Sequence, residues 1–189
     1  MFSWQKVPEL LLLLTVSRQR SLGVGRAVTM SVTIREAVPG DERLLAVLNR
    51  CVQESHVVNR PDSFKPSVFE EVAEWFRTFL QNRSAHVWIA EEQGEAVGYV
   101  TSLVQERPEN PFCRSRRWCE IDQIVVDPKF RRRGIGSALT QKAVATAATE
   151  GIPMVELVAW SFNEEAQRTF QKLGFAPKLV RWELRTDLQ

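Results

Sequence analysis

Residue types that hold metals or build disulfide frameworks are scarce in this sequence. Its 189 residues include only three cysteines and two histidines. No two cysteines have the C-x-x-C spacing that is common in zinc and redox sites. An odd number of widely spaced thiols is typical of free cysteines in a reducing compartment. We therefore expect neither a bound metal nor a disulfide scaffold.

The sequence also lacks a strong charge imbalance and a long apolar run. It has 25 Lys and Arg against 23 Asp and Glu, a net charge of +2, which is too small to indicate a nucleic-acid partner. The leucine run at 10–14 is far shorter than the roughly 20 residues needed to cross a bilayer. With 44% apolar residues, we expect a globular domain with no nucleic-acid partner and no membrane span.

The first 29 residues differ in composition from the rest. They contain several arginines and serines, and Glu9 is their one acidic residue. This composition is a weak indication of an organelle transit peptide. The alternative is an extension outside the folded domain, because Met30 stands just before the first clear strand. We favour a poorly ordered extension at 1–29, a folded domain at 31–189 and a cytoplasmic location, with organelle targeting as the alternative.

The spacing of apolar residues predicts alternating strands and helices from residue 31 onward. The predicted elements are a strand at 32–37, helices from 41 and 67, strands at 86–90, 96–104 and 118–126, a helix at 134–150, a strand at 154–160, a helix at 163–173 and one or two strands within 175–184. The short polar linker between the second and third strands indicates a hairpin. The resulting order, β-α-α-β-β-β-α-β-α-β, is typical of an α/β fold with a mixed sheet.

A glycine-containing turn follows the strand at 118–126. Gly134 and Gly136 stand where the next helix begins, directly after three arginines. The first N–H groups of a helix lack partners within it and favour negative charge, and glycine lets a phosphate approach the backbone closely. Leu139 replaces the third glycine of a dinucleotide-binding fingerprint, and no Walker A lysine follows. We predict a pyrophosphate site; the alternative is a tight turn with solvated arginines.

Two motifs in the second half of the chain occur together. The first comprises Val126-Asp127-Pro128, Arg131, Gly134 and Gly136. The second comprises Asn163, Ala166, Lys172, Gly174 and Phe175. Together they resemble the GNAT superfamily of acyl-CoA-dependent N-acyltransferases, over roughly residues 31–185. The resemblance implies that family's mixed, mostly antiparallel sheet with flanking helices, and acetyl-CoA as the acyl donor.

The resemblance also implies where acetyl-CoA binds. Backbone amides from about Arg132 to Ser137 are expected to hold the pyrophosphate. The pantetheine arm is expected between the strands that end at Val126 and Trp160, where Asn163 would contact it. The expected cofactor-binding residues are Ile124, Val125, Val126, Arg131, Arg132, Arg133, Gly134, Ile135, Gly136, Ser137, Asn163 and Phe170.

Two carboxylates are candidates for the general base that deprotonates the amine. Period-two alternation places Glu120 and Asp122 on the strand face of Ile124 and Val126, which the cofactor arm should approach. Glu120 also stands where some family members carry a catalytic glutamate, so it is the first candidate. The alternative is that both carboxylates pair with the arginines at 114–117. His56 is a third candidate.

One position departs from the family pattern. Many family members carry a tyrosine seven residues after the asparagine, as general acid to the leaving thiolate, and here that position is Phe170.

The first hypothesis on function is an N-acetyltransferase acting by direct attack on a primary amine of a small molecule or peptide. The second is a catalytically silent acyl-CoA-binding module. The acceptor and the state, monomer or homodimer, stay open; Trp75, Phe76, Phe64 and Phe112 could line the acceptor pocket or belong to the core.

Overall fold

The computed structural model describes residues 32–186, so the predicted extension at 1–29 lies outside the described residues. The elements are β1 (Val32–Glu36), α1 (Glu42–Asn59), α2 (Phe69–Leu80), β2 (Ala85–Glu92), β3 (Glu95–Arg107), β4 (Arg116–Val126), α3 (Ile135–Thr149), β5 (Val155–Leu157) and α4 (Glu164–Lys172). The strands form one sheet in the order β1-β2-β3-β4-β5.

The sheet is mixed and mostly antiparallel. β1, β2, β3 and β4 pair antiparallel with one another in turn, and β5 pairs parallel with β4. The hairpin between β2 and β3 turns at Gln93 and Gly94, which both have positive φ angles of 55° and 80°. Two consecutive residues of this kind match the right-handed twist of the flanking strands. The predicted fold class and the predicted hairpin are confirmed.

Helices cover both faces of the sheet. On one face, α1 and α2 pack Leu45 and Phe76 against Tyr99 and Val125. On the other face, α3 packs Ile135, Leu139 and Ala143 against residues of β3 and β4 that include Val100 and Ile121. This two-sided burial explains why β3 is apolar over most of its length, whereas a strand with one wet face would alternate.

A β-bulge at Asp122 interrupts the pairing of β3 with β4. Ser102 lies opposite Ile121, whereas Thr101 lies opposite Gln123, so one extra residue is inserted in β4. A bulge reverses the side-chain alternation beyond it and bends the strand. Parallel pairing with β5 ends at the same level, between Ile121 and Leu157. The bulge therefore marks the point where β4 and β5 separate.

The bulge overturns the predicted alternation along β4. Ile121, before the bulge, packs on the α3 side of the sheet, as do Ile124 and Val126 after it. Glu120 immediately precedes Ile121 and so points to the opposite face, toward α1 and α2. The expectation that Glu120 shares a face with Ile124 and Val126 is wrong, because an inserted residue shifts the period by one.

The strand predicted within 175–184 is not formed. Residues 175–186 are outside every strand, and Leu179, Trp182 and Leu184 are exposed. Side-chain ion pairs hold this segment instead, between Lys178 and Glu156 and between Glu183 and Arg60. Alternating apolar and polar residues predict only which side chains would share a face. A strand also needs the edge of a neighbouring strand to pair with, and β5 provides only three residues.

Two further classes of feature are missing from the described part of the chain. Within residues 32–186, no helix is both long and apolar enough to cross a membrane. The same residues contain no cluster of three or more His, Cys, Asp or Glu side chains that could hold a metal ion.

Candidate active site

A cleft of about 530 Å³ opens where β4 and β5 separate. Its walls are formed by the end of β4, the loop before α3, the length of α4 and one face of α1. The lining residues from β4 and the loop are Ile124, Val125, Val126, Phe130, Arg131, Arg132, Gly134, Ile135, Gly136, Ser137 and Thr140. Those from α1 and α4 include Val52, Ser55, Asn59, Phe162, Asn163 and Phe170. Most of the predicted cofactor-binding residues therefore line one continuous space.

One end of this cleft is suited to an anion. Gly134 caps α3 in the left-handed conformation, with a φ of 85°. The first bond at this end of α3 runs from the N–H of Ala138 to the carbonyl of Gly134 at 3.0 Å. The preceding N–H groups therefore have no partner within the helix and carry the positive end of its dipole. This arrangement is a site for phosphate oxygens.

The arginines beside this helix end have different partners. Arg131 donates from Nε to the carbonyl of Val126 at 3.2 Å. Arg132 has a positive φ of 62° and pairs with Glu165 of α4 at 3.2 Å, across the cleft mouth. Since Arg132 is 83% exposed, this surface pair contributes little to stability and can open for a ligand.

Arg133 points away from the cleft. Its Nη2 donates to Oε1 of Glu92 at 2.5 Å, and its guanidinium lies 5.5 Å from the ring centre of Phe130. Glu92 is only 4% exposed, so this pair neutralises a buried carboxylate. The Arg133 side chain is not among the lining residues. Of the contacts predicted between Arg133 and the cofactor, only one through its backbone N–H is therefore available.

We expect Arg133→Ala to lower the free energy of unfolding by about 3 kcal/mol, because a buried charge that loses its partner is strongly destabilising. Arg132→Ala, which breaks only an exposed pair, should change it by less than about 0.5 kcal/mol. Urea denaturation measures both. Equal effects of the two substitutions would contradict an anchoring role for Arg133.

The second motif lies on the opposite wall. Asn163 caps α4, since its Oδ1 accepts a hydrogen bond from the N–H of Ala166 at 3.2 Å. Asn163 is also one of the residues that line the cleft. Phe170 lines the cleft and contacts the ring of Phe175 edge-on, with centroids 6.0 Å apart. Phe170 offers an apolar wall and no proton.

Glu120 and Asp122 form no ion pair within residues 32–186. Arg116 pairs with Glu156 and Arg117 with Glu106, so the alternative that these arginines neutralise the two candidate carboxylates is wrong. Desolvation by burial raises the pKa of Asp122 above its ordinary value, and the nearby charge of Glu120 adds to the rise. Neither carboxylate lines the cleft; both precede the lining residues of β4.

Sequence reasoning misses a buried polar group beside the bulge. Gln123 accepts two hydrogen bonds at Oε1, from the hydroxyl of Tyr99 at 2.6 Å and from Nδ2 of Asn49 at 3.0 Å. Tyr99 is fully buried and Asn49 nearly so. In the sequence, Tyr99 is the one tyrosine of the chain. A lone tyrosine in an apolar strand was the available signal, since its hydroxyl needs a partner when buried.

His56 belongs to an aromatic cluster beside the cleft. Its ring stacks on Phe64 with centroids 4.6 Å apart and meets Phe162 edge-on at 6.1 Å. Burial lowers its pKa, so the imidazole is neutral at pH 7. Of the other aromatics considered for the acceptor pocket, Phe76 is buried core and Phe112 is 95% exposed. Trp75 stacks on Phe79.

Comparison with known proteins agrees with this geometry. Residues 50–175 match the family model described as Acetyltransferase (GNAT) family. An uncharacterised N-acetyltransferase of Methanocaldococcus jannaschii is 35% identical over 109 residues, which cover 57% of this chain and 47% of that protein. The chain thus spans about half the length of this curated relative.

Solved structures extend the similarity to the fold. The BH1408 protein of Bacillus halodurans superposes with a TM-score of 0.75 and 26% identity, covering 81% of this chain and 99% of that one. An aminoglycoside N-acetyltransferase solved in complex with CoA gives a TM-score of 0.67 at 19% identity, covering 84% and 96%. At that identity, the second likeness concerns the fold alone.

Proposed function

The chain belongs to the GNAT acetyltransferase family, and on that premise we propose that it transfers an acetyl group from acetyl-CoA to a primary amine. One observation carries the proposal: a single cleft joins the free N–H groups at the start of α3 to the end of β4, beyond its pairing with β5. A pyrophosphate suits the first of these features, and a narrow, largely apolar arm suits the second.

The cleft gives each part of acetyl-CoA a partner. The N–H groups from Gly134 to Ser137 would bind the pyrophosphate. Backbone groups of Ile124 and Val126 would bond the arm's amides, because the edge of β4 that faces β5 has no paired strand beyond Ile121. An N–H in this stretch would polarise the thioester carbonyl. The acetyl group would then lie near the bulge, beside Glu120 and Asp122.

The two unpaired carboxylates suit the acceptor side of the reaction. A primary amine arrives as a cation, which negative side chains attract, and it must lose a proton before its nitrogen can attack. Glu120 or Asp122 would take that proton as the C–N bond forms and the C–S bond breaks. Glu120 lies on the face of the sheet toward α1 and α2, so the acceptor would approach the thioester from that side.

The leaving group needs no acid from Phe170. A thiol has a pKa near ~8.5, so CoA can leave as a thiolate and take a proton from water. The missing tyrosine hydroxyl thus affects the route of this proton more than the transfer itself.

The test is a product assay with the purified chain, acetyl-CoA and amines of distinct classes: spermidine, tyramine, glucosamine and a lysine-containing peptide. We expect equimolar CoA and N-acetylated product, identified by mass spectrometry, for at least one amine. Binding of acetyl-CoA is measured in parallel by calorimetry.

The second candidate is a silent acyl-CoA-binding module, favoured by the absence of a donor hydroxyl at Phe170. Binding of acetyl-CoA without acetylation of any amine in the panel would support this candidate and reject the first. Failure to bind acetyl-CoA would reject both.

A further inference from the structure

The segment that follows α4 leaves several large apolar side chains in solvent. Leu179, Val180, Trp182 and Leu184 are 73%, 68%, 88% and 88% exposed. A single exposed apolar residue is common on protein surfaces, whereas a contiguous group of them marks an interaction site or a binding groove. The segment is therefore a candidate interface.

The backbone of this segment is also unpaired. Within the described residues, no backbone group between 176 and 184 is hydrogen-bonded to another backbone group. Two ion pairs tether the segment to the domain, from Lys178 to Glu156 and from Glu183 to Arg60, the latter at 3.0 Å. From Lys178 onward the sequence contains neither proline nor glycine. Each of these residues thus has an N–H and a C=O that a neighbouring strand can pair with.

An extended form of this segment has two different faces, because side chains alternate along a strand. Val180, Trp182 and Leu184 fall on one face, and all three are apolar. Arg181 and Glu183 fall on the other face and carry opposite charges. A strand with an unpaired backbone and one wholly apolar face is a template for pairing with another chain.

The sequence of the segment is complementary to itself in the antiparallel direction. When two copies are aligned about Trp182, each Arg181 stands opposite a Glu183, and each Val180 stands opposite a Leu184. Opposite charges, and apolar side chains, that face each other across two strands stabilise the pair. The two Trp182 rings meet at the centre, on the face that Val180 and Leu184 share.

The neighbouring antiparallel alignments lack this match. An alignment about Arg181 sets the two arginines opposite each other and places Leu179 opposite Glu183. An alignment about Glu183 sets two glutamates opposite each other and Arg181 opposite Arg185. Like charges directly opposite each other destabilise a strand pair. The alignment about Trp182 is therefore the favoured one.

We propose that two copies of the chain form a dimer by antiparallel pairing of residues 178–186, with the two-fold axis at Trp182. Such an arrangement uses the same surface of both copies, so it closes at two. Glu183 is 66% exposed in the single copy, which leaves its carboxylate room for Arg181 of the partner subunit beside Arg60. The second copy supplies the edge that the predicted strand within 175–184 lacks in one chain.

The expected interface is small. A buried tryptophan contributes roughly 150–250 Å², whereas a standard specific interface buries about 1,200–2,000 Å² in total. One pair of short strands lies at or below the lower end of that range, where complexes are weak and reversible. We expect a Kd on the order of 10 μM.

Sedimentation velocity of the full chain from about 1 μM to about 300 μM brackets this value. The wild type should change from monomer to dimer across the range. Trp182→Ala should weaken the dimer at least about 10-fold, because it removes both large side chains at the centre of the interface. Phe112→Ala is the matched control, since it removes an aromatic side chain that is 95% exposed on another loop. It should leave the Kd unchanged.

The charges at 181 and 183 test the register. Arg181→Glu and Glu183→Arg each set two pairs of like charges opposite each other, so each should weaken its own homodimer at least about 10-fold. An equal mixture of the two variants again sets opposite charges against each other at both pairs. A heterodimer with an affinity close to that of the wild type should form, and a fluorophore on one variant identifies it.

The mixture also controls for a local contact. Glu183→Arg loses its ion pair with Arg60, but this loss is the same in the variant alone and in the mixture. Recovery in the mixture therefore reports only the pairing between the two copies. Because residues 181 to 183 are exposed in the single copy, none of these substitutions should unfold the domain.

Four outcomes would overturn the inference. One is a wild-type chain that stays monomeric at the highest concentration. Another is a dimer that keeps its affinity in Trp182→Ala and in both charge variants, which would show that a different surface is used. The third is a mixture that fails to recover, and the fourth is an equal loss in Phe112→Ala, the sign of nonspecific association. The proposed acetyl transfer is judged separately, by the product assay.

Discussion

Gly136→Glu should lower the affinity for acetyl-CoA by at least about 100-fold without weakening the fold. Gly136 lines the cleft at the second position of α3. A carboxylate there would meet the pyrophosphate at close range, where two like charges repel by about 4 kcal/mol at an intermediate dielectric. The helix itself should gain, because an acidic side chain favours a helix N-terminus by up to about 1 kcal/mol. Calorimetry and thermal unfolding measure the two effects.

Gly136→Ala is the matched control for this substitution. A Cβ at this position would meet only Cγ2 of Val126, at 3.7 Å, which is ordinary contact. Its stability should stay close to that of the wild type, and its affinity for acetyl-CoA should fall far less than that of Gly136→Glu, because it adds no charge. If Gly136→Glu keeps full affinity, the pyrophosphate does not bind at the start of α3.

Gly98→Ala should lower the free energy of unfolding by about 3 kcal/mol. Gly98 lies on β3 opposite Val126, and a Cβ there would stand 2.5 Å from the carbonyl oxygen of Val125 and 3.3 Å from the Cα of Val126. Both contacts are backbone, so no side chain can rotate away. Overpacking of this kind costs about 1–3 kcal/mol or more. The melting temperature should fall by about 9 °C.

The same change should also weaken acetyl-CoA binding, because Val125 and Val126 line the cleft. Gly136→Ala again serves as the control, since it adds the same methyl group against the same Val126 but only at ordinary contact distance. Equal stability of the two alanine variants would contradict this close approach of Gly98 to the backbone of β4.

Much of the fold follows from local sequence pattern. Helices α1 to α4 begin within a few residues of the predicted positions, and α3 and α4 also end there, because apolar spacing and terminal glycines report helix faces and ends locally. The anion site is also local, since Gly134 and the free N–H groups that follow belong to one short segment. The paired motifs identify the family because they combine this turn with Asn163 and Phe175.

Other features depend on contacts between distant segments. The bulge at Asp122 is invisible in the alternation of Glu120, Asp122 and Ile124, since the inserted residue shows only in the register with Thr101 and Ser102. The partner of Arg133, Glu92, lies 41 positions away. Three consecutive arginines in the sequence therefore do not show that one of them forms its ion pair outside the predicted site. The strand predicted within 175–184 fails for a related reason, because pairing requires a partner edge.

The buried polar group around Gln123 shows the same limit. Its hydrogen-bond partners Asn49 and Tyr99 lie 74 and 24 residues away from Gln123 in the chain. Neither residue belongs to the motifs that identify the family.

A crystal structure of the chain with acetyl-CoA tests the central claim most directly. The account predicts pyrophosphate oxygens within hydrogen-bond distance of the N–H groups between Gly134 and Ser137. It also predicts the arm between the end of β4 and Asn163, with the acetyl group at the Asp122 bulge. Acetyl-CoA bound outside this cleft, or with its acetyl group directed away from β4, would contradict the account.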